Sequence, residues 1–441
     1  MSNQTEKWNT DGRTYITQLN KVIAKARAGK NPEEWPKDPR TAEEAQTAIA
    51  LAEKEYREGH WNAANPIVDR AHEPFVGMLN DVCQSLSCVT ILGADEFLVR
   101  QGTAYQAGTA LHFRGGEVTE RPDILAVARS RNRQWLLLAQ EQGFSLKKSL
   151  FADPTTIFPW PEGQKPTAID ILQVSDDGRT IAFVAFDSLV WLGQAGEDET
   201  TWTCVYPSLA LMEEIIGDQN EEDEEHEEHE EDEEDEDGEN AGWDSMMHCA
   251  LSPDGKFIAY GSQSFGHFIA QIDGIGSVKK WATIGSQSEY PHFACFSDDS
   301  EFVALNSCHF YNGATVCCRI ADIEGAETEP YEEDNRTPII DEELRVYAAT
   351  WLPSGFALAG ADYLNIVTAD GSQLSATYFG STACSIDYCP EAGLLAVASY
   401  SGFLHIFAPS QLAEEGKTIG HRPIREVYRW VLWRDRPPFR W

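Results

Sequence analysis

The sequence predicts an all-β protein assembled from repeated four-stranded sheets, with a helical arm before the repeats and a helical, aromatic tail after them. Three observations carry this reading. "LSPDGKFIAYGS", residues 251–262, joins a tight polar turn to an alternating apolar strand, as two strands meeting at a reversal do. Degenerate copies of it recur at a regular spacing. Outside them the apolar period becomes that of helices.

In chain order, residues 1–75 read as a helical arm. Ile16, Leu19, Ile23 and Ala26 recur at helical spacing ahead of Gly29. A second helix is better signed: Thr41 with Glu44 makes a capping box, Ala45, Ala48, Ile49, Ala52 and Tyr56 form one face, and Gly59 supplies the stop. Such modest, alanine-rich faces suit docking on a larger body, and a helix that binds a partner is the sharper alternative.

Residues 76–411 carry the repeats. The turn-and-strand copies are 93–102, 130–140, 175–185, 252–262, 297–307, 352–361 and 389–399, each followed by a second strand such as "SLVWLG" at 188–193 or "FLHIFAPS" at 403–410. Aligned turns stand about 40 to 55 residues apart, except that 77 residues separate Gly178 from Gly255. An acidic insertion, 218–240, occupies that gap, and removing it restores the period. A four-stranded unit of this length, apolar on both faces, is stable only when stacked on its neighbours around an axis. The expected fold is therefore a seven-bladed β-propeller. Ala182, Ala259, Ala304, Ala359 and Ala396 fit positions where adjacent sheets approach closely. The Ser-Pro-Asp-Gly turn joins the innermost strand of a blade to the next one outward.

On these residues, about 80–410 resemble a WD40-like β-propeller, in which "SPDG" before a hydrophobic strand is a recurrent element. The family's Gly-His and terminal Trp-Asp dipeptides are absent from the repeats, and the lone "GWD" at 242–244 lies ahead of a blade. The family's Asp-His-Ser/Thr-Trp network is therefore not carried over. The resemblance implies protein–protein recognition across a rim of blade loops.

Charge bears on the partner. The net charge is −38, with 17 acids and no Lys or Arg between Asp218 and Glu239, and the rest of the chain still carries −21. Such a field repels nucleic acid and anionic membranes and speeds encounter with a basic protein. The alternative is solubility alone. Glu221, Glu222, Asp223, Glu224, Glu225, Glu230, Glu231, Asp232, Glu233, Glu234 and Asp235 are the candidate partner-binding residues.

Candidate chemistry is sparse. Ten cysteines lie in strand-like segments without a CxxC pair, which reads as reduced core thiols. His248, His267, His292, His309 and His405 fall on or near strands without a spaced ligand set, so structural roles are expected. His226 and His229 sit in a polyacid whose like charges oppose compact structure, which favours a solvated loop over a metal site. No catalytic motif is found, and no cofactor or metal is expected. Neither a signal peptide nor an apolar span is found, which points to the cytoplasm.

The tail, 412–441, holds "GHRPIREVYRWVLWRDRPPFRW" at 420–441, with six arginines against Glu426 and Asp435. Ile424, Val427, Tyr428, Val431 and Leu432 share one helical face, so a helix is expected. Docking on its own acidic propeller is favoured over binding membrane or nucleic acid. The sequence thus leads to a non-catalytic, monomeric propeller that binds a basic protein as scaffold or adaptor. An immunity protein neutralising a toxin or nuclease is the alternative, and a propeller hydrolase or lyase the second.

Overall fold

Each repeat folds into an antiparallel sheet whose strands follow one another in chain order. The computed structural model describes residues 3–30, 34–64, 66–71, 82–185, 189–197, 199–206, 246–310 and 312–441. Blades 1 to 7 begin with the inner strands Leu86–Gly93, Ala126–Arg129, Leu172–Val174, His248–Leu251, Tyr290–Phe296, Ala348–Leu352 and Ala383–Cys389. Each inner strand contacts the next, and Leu86–Gly93 contacts Ala383–Cys389, so the ring closes as a seven-bladed propeller. Closure is reinforced by a bridge between Cys83 and Trp433.

The alanines explain how the blades pack. Ala182, Ala259, Ala304, Ala359 and Ala396 are all buried on second strands. Each belongs to an apolar cluster shared with the following blade: Ala259 with Phe296 and Leu305, Ala359 with Leu395 and Val397, Ala396 with Ile91 and Phe97. A methyl group there lets twisted sheets meet without a void.

The repeated turn is built by its serine. In blade 4, Ser252 Oγ accepts from the Phe257 amide at 2.9 Å and donates to Asp254 at 2.7 Å. Ser175 and Ser297 do the same toward Thr180 and Asp177 and toward Phe302 and Asp299. Gly255 closes the reversal at φ +71, a conformation that costs glycine little.

The two helices, α1 (Asn3–Arg27) and α2 (Ala42–Arg57), lie where expected, and the Thr41–Glu44 capping box forms. Ala45, Ala48, Ile49 and Ala52 are buried on α2. The buried face of α1 differs from the expected one: it is Thr5, Trp8, Asn9, Gly12 and Ile16, with Leu19, Ile23 and Ala26 only half-buried. Polar anchoring is the cause, since Trp8 and Asn9 bond to the carbonyls of Asp69 and Ile67. Both helices pack with Phe403, Val431, Trp433, Phe439 and Trp441 in one apolar cluster. No described helix is long and apolar enough to cross a membrane.

The helix expected over 424–432 is instead a strand. Ile424–Val431 pairs with Phe403–Leu412 as the outer strand of blade 7, and Phe439–Arg440 pairs back onto it. The chain between them detours to blade 6, where Gly420–His421 adds a short fifth strand beside Gln373–Tyr378. Ile424, Val427, Tyr428 and Val431 fit a helical stripe, but burial decides otherwise. Tyr428, Arg429, Trp430 and Val431 are consecutive and all buried, so both sides of the segment are covered. A one-striped helix does not allow that, whereas β-branched and aromatic residues in a sheet do.

Candidate interaction faces of the propeller

The direction of the inner strands sorts every loop onto one of two faces. One carries the turns from first to second strand (the a–b face), the other the turns from second to third strand (the b–c face) and the connections between blades. Their surfaces differ in chemistry.

On the a–b face the turns hold one another. Asn132 N donates to Asp176 Oδ1 at 2.8 Å, Asp176 N to the Pro253 carbonyl at 2.7 Å, and Asp254 N to Ser300 Oγ at 3.1 Å. In blade 2 the turn reads Ser130-Arg131-Asn132-Arg133, with Arg133 at φ +62 in the place that Gly178 and Gly255 hold in blades 3 and 4. Its two arginines reach across the ring. Arg131 bonds to Thr350 of blade 6 and lies 3.9 Å from Asp298 of blade 5. Arg133 holds Asp387 of blade 7 at 2.7 Å and also donates to the carbonyls of Ile91 and Tyr388. Asp387 in turn accepts from Ile91 N at 2.7 Å and Thr90 Oγ1 at 3.1 Å. Burial pushes the Asp176 and Asp298 carboxyl pKa values up. This face is tied internally by charge-assisted bonds.

Between the faces runs a central cavity of about 330 Å³, lined by residues that include Cys88, Asp170, Met246, Cys249, His292 and Cys384. His292 stands 5.0 Å from the Tyr347 ring, and among the described residues its ring nitrogens have no hydrogen-bond partner. Burial, then the Arg345 and His248 charges, lowers its pKa to about 3, so the ring is neutral.

The b–c face exposes aromatic side chains. Tyr105 and Phe310 are 78% and 67% exposed in the b–c turns of blades 1 and 5, with Phe265 and Tyr400 exposed in those of blades 4 and 7. The chain leaves the described residues at Tyr206, the end of the outer strand of blade 3, and re-enters at Met246, just before the inner strand of blade 4. Both ends of 207–245 are therefore on this face. Arg345 organises this rim, donating to the Phe310 carbonyl at 2.8 Å and contacting Met246 Sδ at 3.7 Å. Phe310 and Met246 both have positive φ, 50 and 56, conformations that such residues hold only when surroundings impose them. The candidate residues Glu221 to Glu225 and Glu230 to Asp235, with His226 and His229, lie outside the described residues.

His309 is exposed and meets Glu289 at 2.6 Å on the b–c face, whereas His248, His267 and His405 serve the interior. His248 Nε2 meets His267 Nδ1 at 3.0 Å, and His267 Nε2 meets Ser307 Oγ at 3.2 Å. The order resembles a nucleophile relay, but all three groups are buried, Ser307 at 2% exposure, and join blade 4 to blade 5. His405 bonds to Glu426 at 2.8 Å, and Arg429 grips the same carboxylate at 2.5 and 2.9 Å. Burial alone would raise the Glu426 pKa, yet Arg429, His405 and Arg70 hold it well below the usual range. The cysteines are free thiols, eight of them buried, and burial pushes Cys88, Cys249 and Cys317 up to about 12. Among the described residues, the three metal-ligating side chains that come within 4.8 Å of one another are Glu55, Glu58 and His60, on the surface at the end of α2.

The exposed aromatics and the two cross-ring arginines are absent from the sequence-derived candidates. Aromatics in turn positions were the available signal for the first. For the second it was the replacement of Asp and Gly by arginines in one repeat.

Comparison with known proteins adds little beyond shape. No family model and no curated protein matches the chain. Among solved structures it is similar to the β-propeller domain of Cps50 (Swd1) from Myceliophteria thermophila, with a TM-score of 0.44 and 12% identity over 72% of this chain and 94% of that one.

Proposed function

We propose that the chain is a non-catalytic protein-binding propeller, a scaffold or adaptor that takes a basic protein partner on its b–c face. One coincidence supports this most. The rim that exposes Tyr105, Phe265, Phe310 and Tyr400 is also the rim where the acid-rich stretch 207–245 leaves and re-enters the blades. Exposed aromatics are the usual anchors of protein interfaces, because they bury large area at low cost in side-chain entropy. Carboxylates around such anchors steer a basic partner and set its approach, a contribution made mainly to the association rate.

The proposed division of labour is concrete. Glu221, Glu222, Asp223, Glu224, Glu225, Glu230, Glu231, Asp232, Glu233, Glu234 and Asp235 attract the partner over distance, and the aromatics hold it. The opposite face is tied internally through Arg131 and Arg133. The relay of His248, His267 and Ser307 is read as structural because no solvent reaches it.

Affinity capture from native cells at low and moderate salt tests the reading. A basic protein should be retained, and deleting 218–239 should slow its association about 10-fold at low salt while leaving the thermal midpoint of the propeller unchanged. An association rate indifferent to both salt and deletion would refute the electrostatic part.

A further inference from the structure

An open sheet edge offers backbone N–H and C=O groups to any chain that can pair with them, and folded proteins blunt such edges with charge, short strands or covering segments. Six of the seven outer edges of this propeller are blunted. Blade 1 ends on Glu117–Arg121, charged at Glu117, Glu120 and Arg121, and blades 2 and 5 end on strands of three residues, Thr156–Phe158 and Ile339–Asp341. The outer strand of blade 4, Val278–Ile284, carries Lys279 and Lys280. Residues 325–328 also bond along it, Gly325 N to the Trp281 carbonyl at 2.8 Å and Thr283 N to the Ala326 carbonyl at 2.9 Å. Gly420–His421 covers the edge of blade 6, and Phe439–Arg440 that of blade 7.

Blade 3 differs. Its outer strand, Thr200–Tyr206, reads Thr-Thr-Trp-Thr-Cys-Val-Tyr, seven residues without a charge or a proline. Among the described residues, no strand pairs with its outer side. The register tells which groups it presents. Ala195, opposite Thr200, donates its N–H the other way, to the Arg179 carbonyl at 2.8 Å, so that pair is not hydrogen-bonded. Such pairs alternate with bonded ones in an antiparallel ladder. Thr200 and Trp202 therefore turn N–H and C=O outward, while Thr201 and Thr203 direct theirs at Gln194 and Leu192.

The two sides of this edge differ in chemistry. Trp202 lies across Gly193, where a Cβ would stand 2.5 Å from its ring, and packs with Trp191 on the apolar cluster of blades 2 and 3. Thr201 is on the other side, where a Cβ on Gly276 of blade 4 would stand 3.1 Å from its methyl group. A strand added here meets an apolar side and a polar side in alternation. Glu197 and Glu199 are exposed just before the strand, and the chain after it carries 17 acids and no Lys or Arg between Asp218 and Glu239. Arg179 is exposed two strands inward, and the edge strand itself bears no cation. Its far end is on the b–c rim, where the rings of Tyr206 and Phe265 stand 6.3 Å apart.

We propose that this edge takes an extended segment of a protein partner, alternating apolar and basic residues, as an added fifth strand of blade 3. Backbone bonds to Thr200 and Trp202 hold the segment, its apolar residues lie beside Trp202, and its cations lie on the threonine side within reach of the flanking carboxylates. The proposal rests on the reading that the partner is basic, and it gives that partner a second contact beside the b–c aromatics.

The test adds the synthetic peptide Lys-Val-Lys-Val-Lys-Val-Lys to the full chain and follows amide hydrogen exchange residue by residue. Expected is slowing of about 10-fold or more at Thr200 and Trp202, with little change at Thr201 and Thr203, which the blade already protects. Thr200→Pro removes an outward N–H at the first residue of the strand, where proline is tolerated. It should weaken peptide binding about 10-fold while leaving the thermal midpoint close to wild type. Exchange that is unchanged, or slowed equally at all four amides, overturns the proposal, as does equal peptide affinity in Thr200→Pro. Binding that arises only after 207–217 is deleted would give the edge to the protein's own chain, and a dimer broken by Thr200→Pro would give it to a second copy; either overturns it. Peptide protection without a captured basic protein would keep the edge and remove the b–c reading, and capture without that protection would do the reverse.

Discussion

Arg131 of blade 2 donates to Thr350 of blade 6 across the a–b end of the central channel, tying together two residues 219 positions apart. Its neighbour Arg133 reaches the other way, to Asp387 of blade 7 and the Ile91 carbonyl of blade 1. One irregular repeat thus serves as the hub of the ring. A propeller gains most of its stability from contacts between adjacent blades, and these two side chains add contacts that skip blades.

Removing the hub should cost more than its surface position suggests. Arg133 and Asp387 are only 9% and 14% exposed, so Arg133→Ala leaves a nearly buried carboxylate without its cation. A loss of about 3 kcal/mol is expected in urea unfolding. A loss below about 0.5 kcal/mol would place the pair among ordinary surface ion pairs.

The turn serine is predicted to matter for a local reason. Ser252→Ala deprives the Phe257 amide of its acceptor at 2.9 Å and leaves the Lys256 amide only Asp254 Oδ1, at 3.1 Å. The expected cost is about 1 to 2 kcal/mol, read from the chemical denaturation midpoint. Ser252→Thr, which keeps the oxygen, should recover part of it.

These turns were legible in the sequence because they are made of local bonds: Ser, Asp and Gly meet within five residues. The capping box of α2 was legible for the same reason. What decides the other cases lies far away in the chain. Ile424–Val431 becomes a strand because Phe403–Leu412 offers it an edge. The buried face of α1 follows from the carbonyls of Ile67 and Asp69 and from the room Gly12 leaves for Arg40. Arg131 and Arg133 acquire their roles only when the ring closes. The acid-rich stretch was visible from composition, while the exposed aromatics required knowing which turns share a rim.

The outer strand of blade 7 supplies a further check. Trp430 is fully buried against Phe113, with ring centroids 4.8 Å apart. Trp430→Ala should cost about 4 kcal/mol. Trp35→Ala, at a side chain 53% exposed, should cost almost nothing by the same thermal measurement. Similar losses from both would contradict a two-sided strand at 424–431.

Acid sensitivity should carry the imprint of His292. Its pKa falls from 6.5 to about 3 on folding, chiefly through burial. Between those values the unfolded chain holds a proton that the folded chain refuses, so stability rises with pH across the window and is lost as pH falls through it. His267 shifts in the same direction, again chiefly through burial. His292→Phe should flatten the dependence of unfolding free energy on pH by up to one proton, about 1.4 kcal/mol per pH unit. An unchanged slope in denaturation curves between pH 4 and 6 would contradict it.

The face assignment is tested most directly by measuring the captured partner's dissociation constant against surface variants on the two faces. Phe310→Ala and Tyr105→Ala alter the b–c face, and Phe151→Ala and Ile275→Ala alter exposed side chains of the a–b face. Binding through the b–c face requires the first pair to weaken affinity at least about 10-fold and the second pair to leave it unchanged. Loss confined to Phe151→Ala and Ile275→Ala, or no loss from any of the four, would contradict it.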